Sequence, residues 1–272
     1  MGEGRGEGLG AIVLWGLLAA LALKLSAVPP FLLTGLALVI GAFVGGKALM
    51  HRPPPLPALA LGIYGLFGFH FFLFLALRLA PPVEANLVNY LWPLLIVVLA
   101  PLVVPEVRFS VRHGMAALLG FAGAALLITA GSSTLGGGEL LGYAFAAASA
   151  IIWSTYSLLS RRLRHFPTAY VSWFCLVSGA ASLACHFTFE PRYWPQGMEW
   201  LYLAVLGLGP MGAAFFLWDR AMKRGDPRVI GSLAYLTPLL STLALAAFAG
   251  ATLAPTSFVA MGLILAGAWL GR

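Results

Sequence analysis

Residues 61–95 read LGIYGLFGFHFFLFLALRLAPPVEANLVNYLWPLL, and residues 206–240 read LGLGPMGAAFFLWDRAMKRGDPRVIGSLAYLTPLL. Laid over one another at an offset of 145, they need no gap and coincide at ten of 35 positions. Leu and Ala match easily by chance, so the weight falls on Gly62/Gly207, Pro82/Pro227, Tyr90/Tyr235 and Pro93/Pro238. Arg78 also falls on Lys223, and Ile12-Val13-Leu14-Trp15 lies beside Ile151-Ile152-Trp153 further out. The chain therefore reads as a duplication, with units over 1–133 and 134–272.

The composition states the medium in which the units fold. Of 272 residues, 61% are hydrophobic and 9% are charged, against roughly 25% charged in a soluble domain. Such a chain cannot cover a soluble surface, and it is too apolar for disorder. A membrane helix needs about 20 apolar residues free of charge. Charge-free runs cover 8–23, 25–46, 53–77, 85–105, 113–138, 140–160, 165–189, 200–218 and 229–271. The last is long enough for two spans, with Gly250 and Pro255 near its middle. The alternating ten-residue segments of a membrane β-barrel are absent. The expected fold is all-α: ten transmembrane helices in two five-helix repeats around a central cavity. Five is odd, so the repeats are inverted, an architecture of transporters with the substrate site near the midplane.

The net charge of +7 sorts by side. With both termini in the cytoplasm, 13 of 16 Lys and Arg face inward, and only Lys24, Arg78 and Arg192 face outward. That is the positive-inside bias, so the charge reports topology and not nucleic-acid binding. The loops leave no room for a soluble domain. The longest outer one, about 186–199, carries Trp194 with Trp200 beyond as interfacial anchors. Cys175 and Cys185 fall on one helix, roughly 15 Å apart along its axis, too far for a disulfide.

Val88-Asn89-Tyr90-Leu91-Trp92-Pro93-Leu94-Leu95 resembles the fourth-helix signature of the YddG group of aromatic amino-acid exporters. That group lies in the EamA-type branch of the drug/metabolite transporter superfamily. Gly231 to Ser241 resembles the matching ninth-helix segment, and Ile151 to Tyr156 the start of the second unit. The resemblance spans essentially the whole chain. It implies a basket around a central cavity, cytoplasmic termini, a bacterial inner-membrane location, and export of amino acids and related metabolites.

Side chains expected at mid-depth define the candidate site. His70 is the one ionisable residue deep in a span; such residues usually face the bundle interior or a wet cavity. It either holds substrate or bonds a neighbouring carbonyl. Trp15, Trp92 and Trp153 lie centrally, whereas membrane Trp usually sits at interfaces; they stack an apolar side chain or simply pack. Asn89, Tyr90, Tyr156 and Tyr235 offer polar partners, to substrate or between helices. Pro93 and Pro238 each free a carbonyl, at Asn89 and Ala234, and with Gly68 and Gly212 are candidate hinges or static kinks. The Ser residues of helix 6 and Gly41-Ala42-Phe43-Val44-Gly45 read as packing.

No carboxylate occupies the midplane, which disfavours carboxylate-driven proton antiport. Facilitated export is the first expectation; a proton-coupled efflux or uptake carrier is the alternative within transport. A membrane-embedded lipid enzyme is disfavoured because no HExxH, GxSxG or Asp-rich pair occurs. No metal or other cofactor is expected. The expected partners are small-molecule substrate and membrane lipid; the oligomeric state is left open, with a monomer as one option.

Overall fold

The computed structural model describes residues 4–129, 140–249 and 255–271. The expected boundary at 133/134 and Gly250 lie outside the described residues. Among those residues every regular element is helical, and the elements join into ten rods. They are α1 (Arg5–Lys24), α2 (Pro30–Met50), α3 (Leu56–Leu79), α4 (Pro82–Val103) and α5 (Val111–Thr129). The second five are α6 (Leu140–Arg162), α7 (Thr168–Phe189), α8 (Met198–Arg224), α9 (Pro227–Ala247) and α10 (Pro255–Leu270).

Eight of the ten are long and apolar enough to cross a membrane. α10 has 16 residues. α6 is diluted by Ser149, Ser154, Ser157 and Ser160, all buried against neighbouring helices. Three of these serines act as glue between helices: Ser149 Oγ donates to Asn89 Oδ1 at 2.8 Å, Ser157 Oγ accepts from Trp218 Nε1, and Ser160 Oγ donates to Asp219, while Ser154 bonds Ile151 of its own helix.

Several rods begin with proline in the first turn, where its missing N–H costs nothing: Pro30, Pro82, Pro227 and Pro255. Asp226 caps α9 by accepting from the Arg228 N–H at 2.9 Å. Burial opposes charge on Asp226, yet the hydrogen bonds from Arg228 outweigh it and hold the carboxyl below its usual range. Close approach is made by glycine. A Cβ on Gly41 of α2 would lie 2.6 Å from the Met211 carbonyl of α8. A Cβ on Gly212 would lie 2.4 Å from Gly207 O, so Gly212 packs against backbone, while Gly68 has room around it.

The duplication reappears in the backbone. α3 carries a π-helical turn at Tyr64–Gly68, and α8 carries one at Gly209–Ala213. Those turns are offset by 145 residues. α4 breaks after Asn89 and restarts at Trp92; α9 breaks after Leu233 and restarts at Leu236. Tyr90 and Tyr235 sit at the two breaks, at the same offset.

Candidate functional site

Proline at 93 denies α4 one backbone donor, so the helix opens between Asn89 and Trp92. The Tyr235 hydroxyl from α9 fills the gap. It accepts from the Leu94 N–H at 3.1 Å and donates to the Tyr90 carbonyl at 3.3 Å. In α9 the Ala234 carbonyl is not free as expected, because it accepts from the Thr237 N–H at 3.0 Å.

Opening α4 turns Asn86, Asn89, Tyr90 and Trp92 onto one cavity of about 420 Å³, within the range of small-molecule sites. α1 contributes Trp15, Leu18 and Ala22; α3 contributes Phe69, His70 and Phe74; α6 contributes Trp153. α8 adds Met211 and Phe215, and α9 adds Thr237 and Ser241. Among the described lining residues none is Asp, Glu, Lys or Arg.

His70 combines both readings. Its Nδ1 lies 2.6 Å from the Leu66 carbonyl within the π turn, and the ring lines the cavity. A carbonyl only accepts, so Nδ1 carries the proton and Nε2 of the neutral ring is an acceptor. Thr237 is 6% exposed, and its hydroxyl has no hydrogen-bond partner among the described residues.

Toward the N-terminal end of the bundle, tryptophans close the cavity. Trp15 lies 5.7 Å from Trp153, 6.3 Å from Trp92 and 5.1 Å from Trp218, between ring centroids. The Trp15 indole donates to the Pro210 carbonyl at 3.1 Å, a group of the α8 π turn. Below this layer α6 is tied to α8. Asp219 accepts from Ser160 at 2.7 Å and pairs with Lys223 at 2.7 Å. Its partner is Lys223, one helical turn on. Arg161 donates to the carbonyls of Met222, Lys223 and Gly225, which finish α8. Toward the opposite end the lining continues through Ala22, Leu33, Thr34 and Asn86.

Of the expected site residues, Trp15, His70, Asn89, Tyr90, Trp92 and Trp153 converge on the cavity. Tyr156 and Tyr235 are buried outside its lining. Tyr156 packs on Gly65, where a Cβ would lie 2.2 Å from its ring. Tyr235 serves the α4 break. Phe215 was legible only through the repeat, which sets it on His70 at the 145 offset; Thr237 and Ser241 were already legible by their depth beside Pro238, and the same offset sets Thr237 on Trp92. Phe69 and Phe74 carry no signal in the sequence that separates them from lipid-facing phenylalanines.

The EamA-like transporter family model matches this chain twice, over residues 7–129 and 140–271. The "Aromatic amino acid exporter YddG" of Ancylobacter novellus is 47% identical over 270 residues, covering 96% of this chain and 94% of the relative. The "Uncharacterized transporter YyaM" of Bacillus subtilis is 27% identical over 199 residues, 68% of this chain and 63% of the relative. One crystal structure superposes with a TM-score of 0.94 at 45% identity, covering 99% of this chain and 95% of the other. The duplicated match agrees with the duplicated π turns and helix breaks: the chain belongs to the EamA-like transporter family, and it is a multi-pass membrane transporter and not an enzyme.

Proposed function

We propose that this protein exports amino acids, aromatic and other apolar ones, and related metabolites by alternating access across a bacterial inner membrane. Both termini lie in the cytoplasm, and residues 1–133 and 134–272 form two repeats of opposite orientation. The observation that carries the reading is the cavity: aromatic side chains and neutral polar groups lining one central space. Trp15, Trp92 and Trp153 stack the substrate side chain. His70, Asn89 and Tyr90 hold its amino and carboxylate groups. The name of the 47%-identical relative supports the substrate class.

With the N-terminal end inside, the packed Trp layer is the inner gate of the cavity. Inward opening then requires the Trp layer to part and the α6–α8 ties at Asp219 and Arg161 to break. The paired irregularities at Pro93 and Pro238, with the glycines of the π turns, supply the bending. Tyr235 and Tyr156 act on the site indirectly, one by holding the α4 break and one by filling the space at Gly65.

Transport is facilitated, since no carboxylate is among the described lining residues; His70 is the lining group through which a proton-coupled cycle would run instead. Proteoliposomes loaded with labelled phenylalanine, with and without a pH gradient, test this. Efflux down the substrate gradient alone is expected; strict dependence on the pH gradient overturns facilitation. No efflux of aromatic, branched or threonine-like amino acids overturns the substrate class.

A further inference from the structure

We propose that the cleft between the N-terminal-side ends of α2 and α7 binds the headgroup of an anionic phospholipid. This cavity of about 670 Å³ is separate from the central one. Its walls are the last turns of α2, which wind as a 3-10 helix from Phe43 to Met50, and the first turn of α7. Lys47, His51 and Arg52 line it, and no acidic side chain does. Lys47 and Arg52 form no ion pair among the described residues.

The opposite end of the same helix pair shows what is missing. There the buried Glu190, at the end of α7, accepts from the N–H groups of Phe31 and Leu32 at 2.9 and 3.2 Å. It satisfies the free donors that begin α2 and complements the helix dipole. α2 and α7 correspond at an offset of 138: Pro29 with Pro167, Leu38-Val39 with Leu176-Val177, Gly41-Ala42 with Gly179-Ala180. At that offset Phe31 falls on Ala169, which lines the cleft. Glu190 falls on Arg52. One end therefore carries its own anion, and the related end has a cation in that place. Three basic side chains beside the positive end of α7 leave a site that an external anion completes.

The flank of the cleft selects the source of that anion. Phe43, Val44 and Met50 are 64%, 41% and 86% exposed. On a membrane-spanning bundle such side chains face acyl chains, which free phosphate lacks. A lipid brings both, and basic pockets between helices at this depth suit lipid phosphates.

Native mass spectrometry of the full-length protein, given equal phosphatidylglycerol and phosphatidylcholine, tests this without any transport assay. It therefore stands or falls separately from the substrate reading. The unmodified protein should retain phosphatidylglycerol about tenfold over phosphatidylcholine, and Lys47→Gln with Arg52→Gln should abolish that preference. Arg52→Glu, which restores the carboxylate of the related end, should abolish it too; Arg52→Lys should keep it. Arg108→Gln with Arg162→Gln, a pair outside the cleft, should leave it intact. Unchanged preference in the cleft variants, or equal loss in the control pair, overturns the site. Displacement of phosphatidylglycerol by millimolar inorganic phosphate overturns the lipid assignment.

Discussion

Helices α3 and α4 and helices α8 and α9 have nearly the same backbone and different chemistry. The π turns at Tyr64–Gly68 and Gly209–Ala213 and the breaks at Tyr90 and Tyr235 repeat at one offset. The side chains that this backbone delivers to the cavity do not repeat. His70 faces Phe215 across the duplication, and Trp92 faces Thr237. The difference separates two jobs. Deformable turns serve both halves of an alternating cycle, so both units keep them. The substrate is held once, in one orientation, so its polar and aromatic partners need not be symmetric.

The strongest way to break the comparison is to remove the aromatic layer where the halves meet. Trp153 touches Trp15, Phe69, Tyr156 and Phe215, at centroid distances from 5.3 to 5.7 Å. Trp153→Ala should cost on the order of 3–5 kcal/mol of stability, read as a fall in Tm, and should abolish efflux of aromatic amino acids. Wild-type efflux from a stably folded Trp153→Ala protein would remove this layer from the site.

The next test uses the two break tyrosines, which the sequence makes equivalent and the structure does not. Tyr235 satisfies the Leu94 N–H and the Tyr90 carbonyl. Tyr235→Phe leaves both groups buried without it, at a cost of about 1–3 kcal/mol. Tyr90→Phe removes a hydroxyl that lines the cavity and should alter substrate affinity with a smaller change in Tm. Equal Tm losses in the two variants would contradict the division of roles.

That pair also marks how far the sequence reaches. Ten spans follow from charge spacing, and an expected depth follows from the middle of each span, which groups His70 with the three tryptophans that line one cavity in the structure. Facing is a different quantity. One π turn or one proline break turns every later side chain around the axis, so the regular i, i+3/i+4, i+7 face does not continue through it. Along α4, Asn86, Asn89 and Tyr90 stay on the cavity, but Trp92 and not Pro93 continues the face. α6 has no such break, and there Trp153 lines the cavity while Ser149, Tyr156 and Ser160, spaced along the same face, are buried against neighbouring helices. The repeat carries the information that helical periodicity loses there, since it registers Phe215 and Thr237 against known lining positions.

Smaller effects come from the asymmetric pair in α3 and α8. His70→Leu removes the one imidazole among the described lining residues and its bond to Leu66. Substrate binding should weaken by about tenfold, the worth of roughly one hydrogen bond, measured by isothermal titration or transport KM. Phe215→Leu keeps the wall apolar and should change affinity less. The reverse ranking would assign the polar grip to the second repeat.

The smallest effect is distinguished by its sign. Thr237 buries a hydroxyl without a partner among the described residues, and it lines the same cavity as its repeat counterpart Trp92. An unpaired buried hydroxyl costs about 1–3 kcal/mol. Thr237→Val keeps the shape and removes that cost, so the substrate-free protein should gain up to about 1 kcal/mol and melt slightly higher. If the hydroxyl is held in reserve for substrate, the same variant should bind an amino acid several-fold more weakly. Thr237→Ser, which keeps the donor, should not show that loss. Higher Tm with unchanged affinity would make Thr237 a packing residue. Higher Tm with weaker binding is what a site assembled on one half of a duplicated frame requires: the polar atom is destabilising until the substrate arrives, and no symmetric partner shares its function.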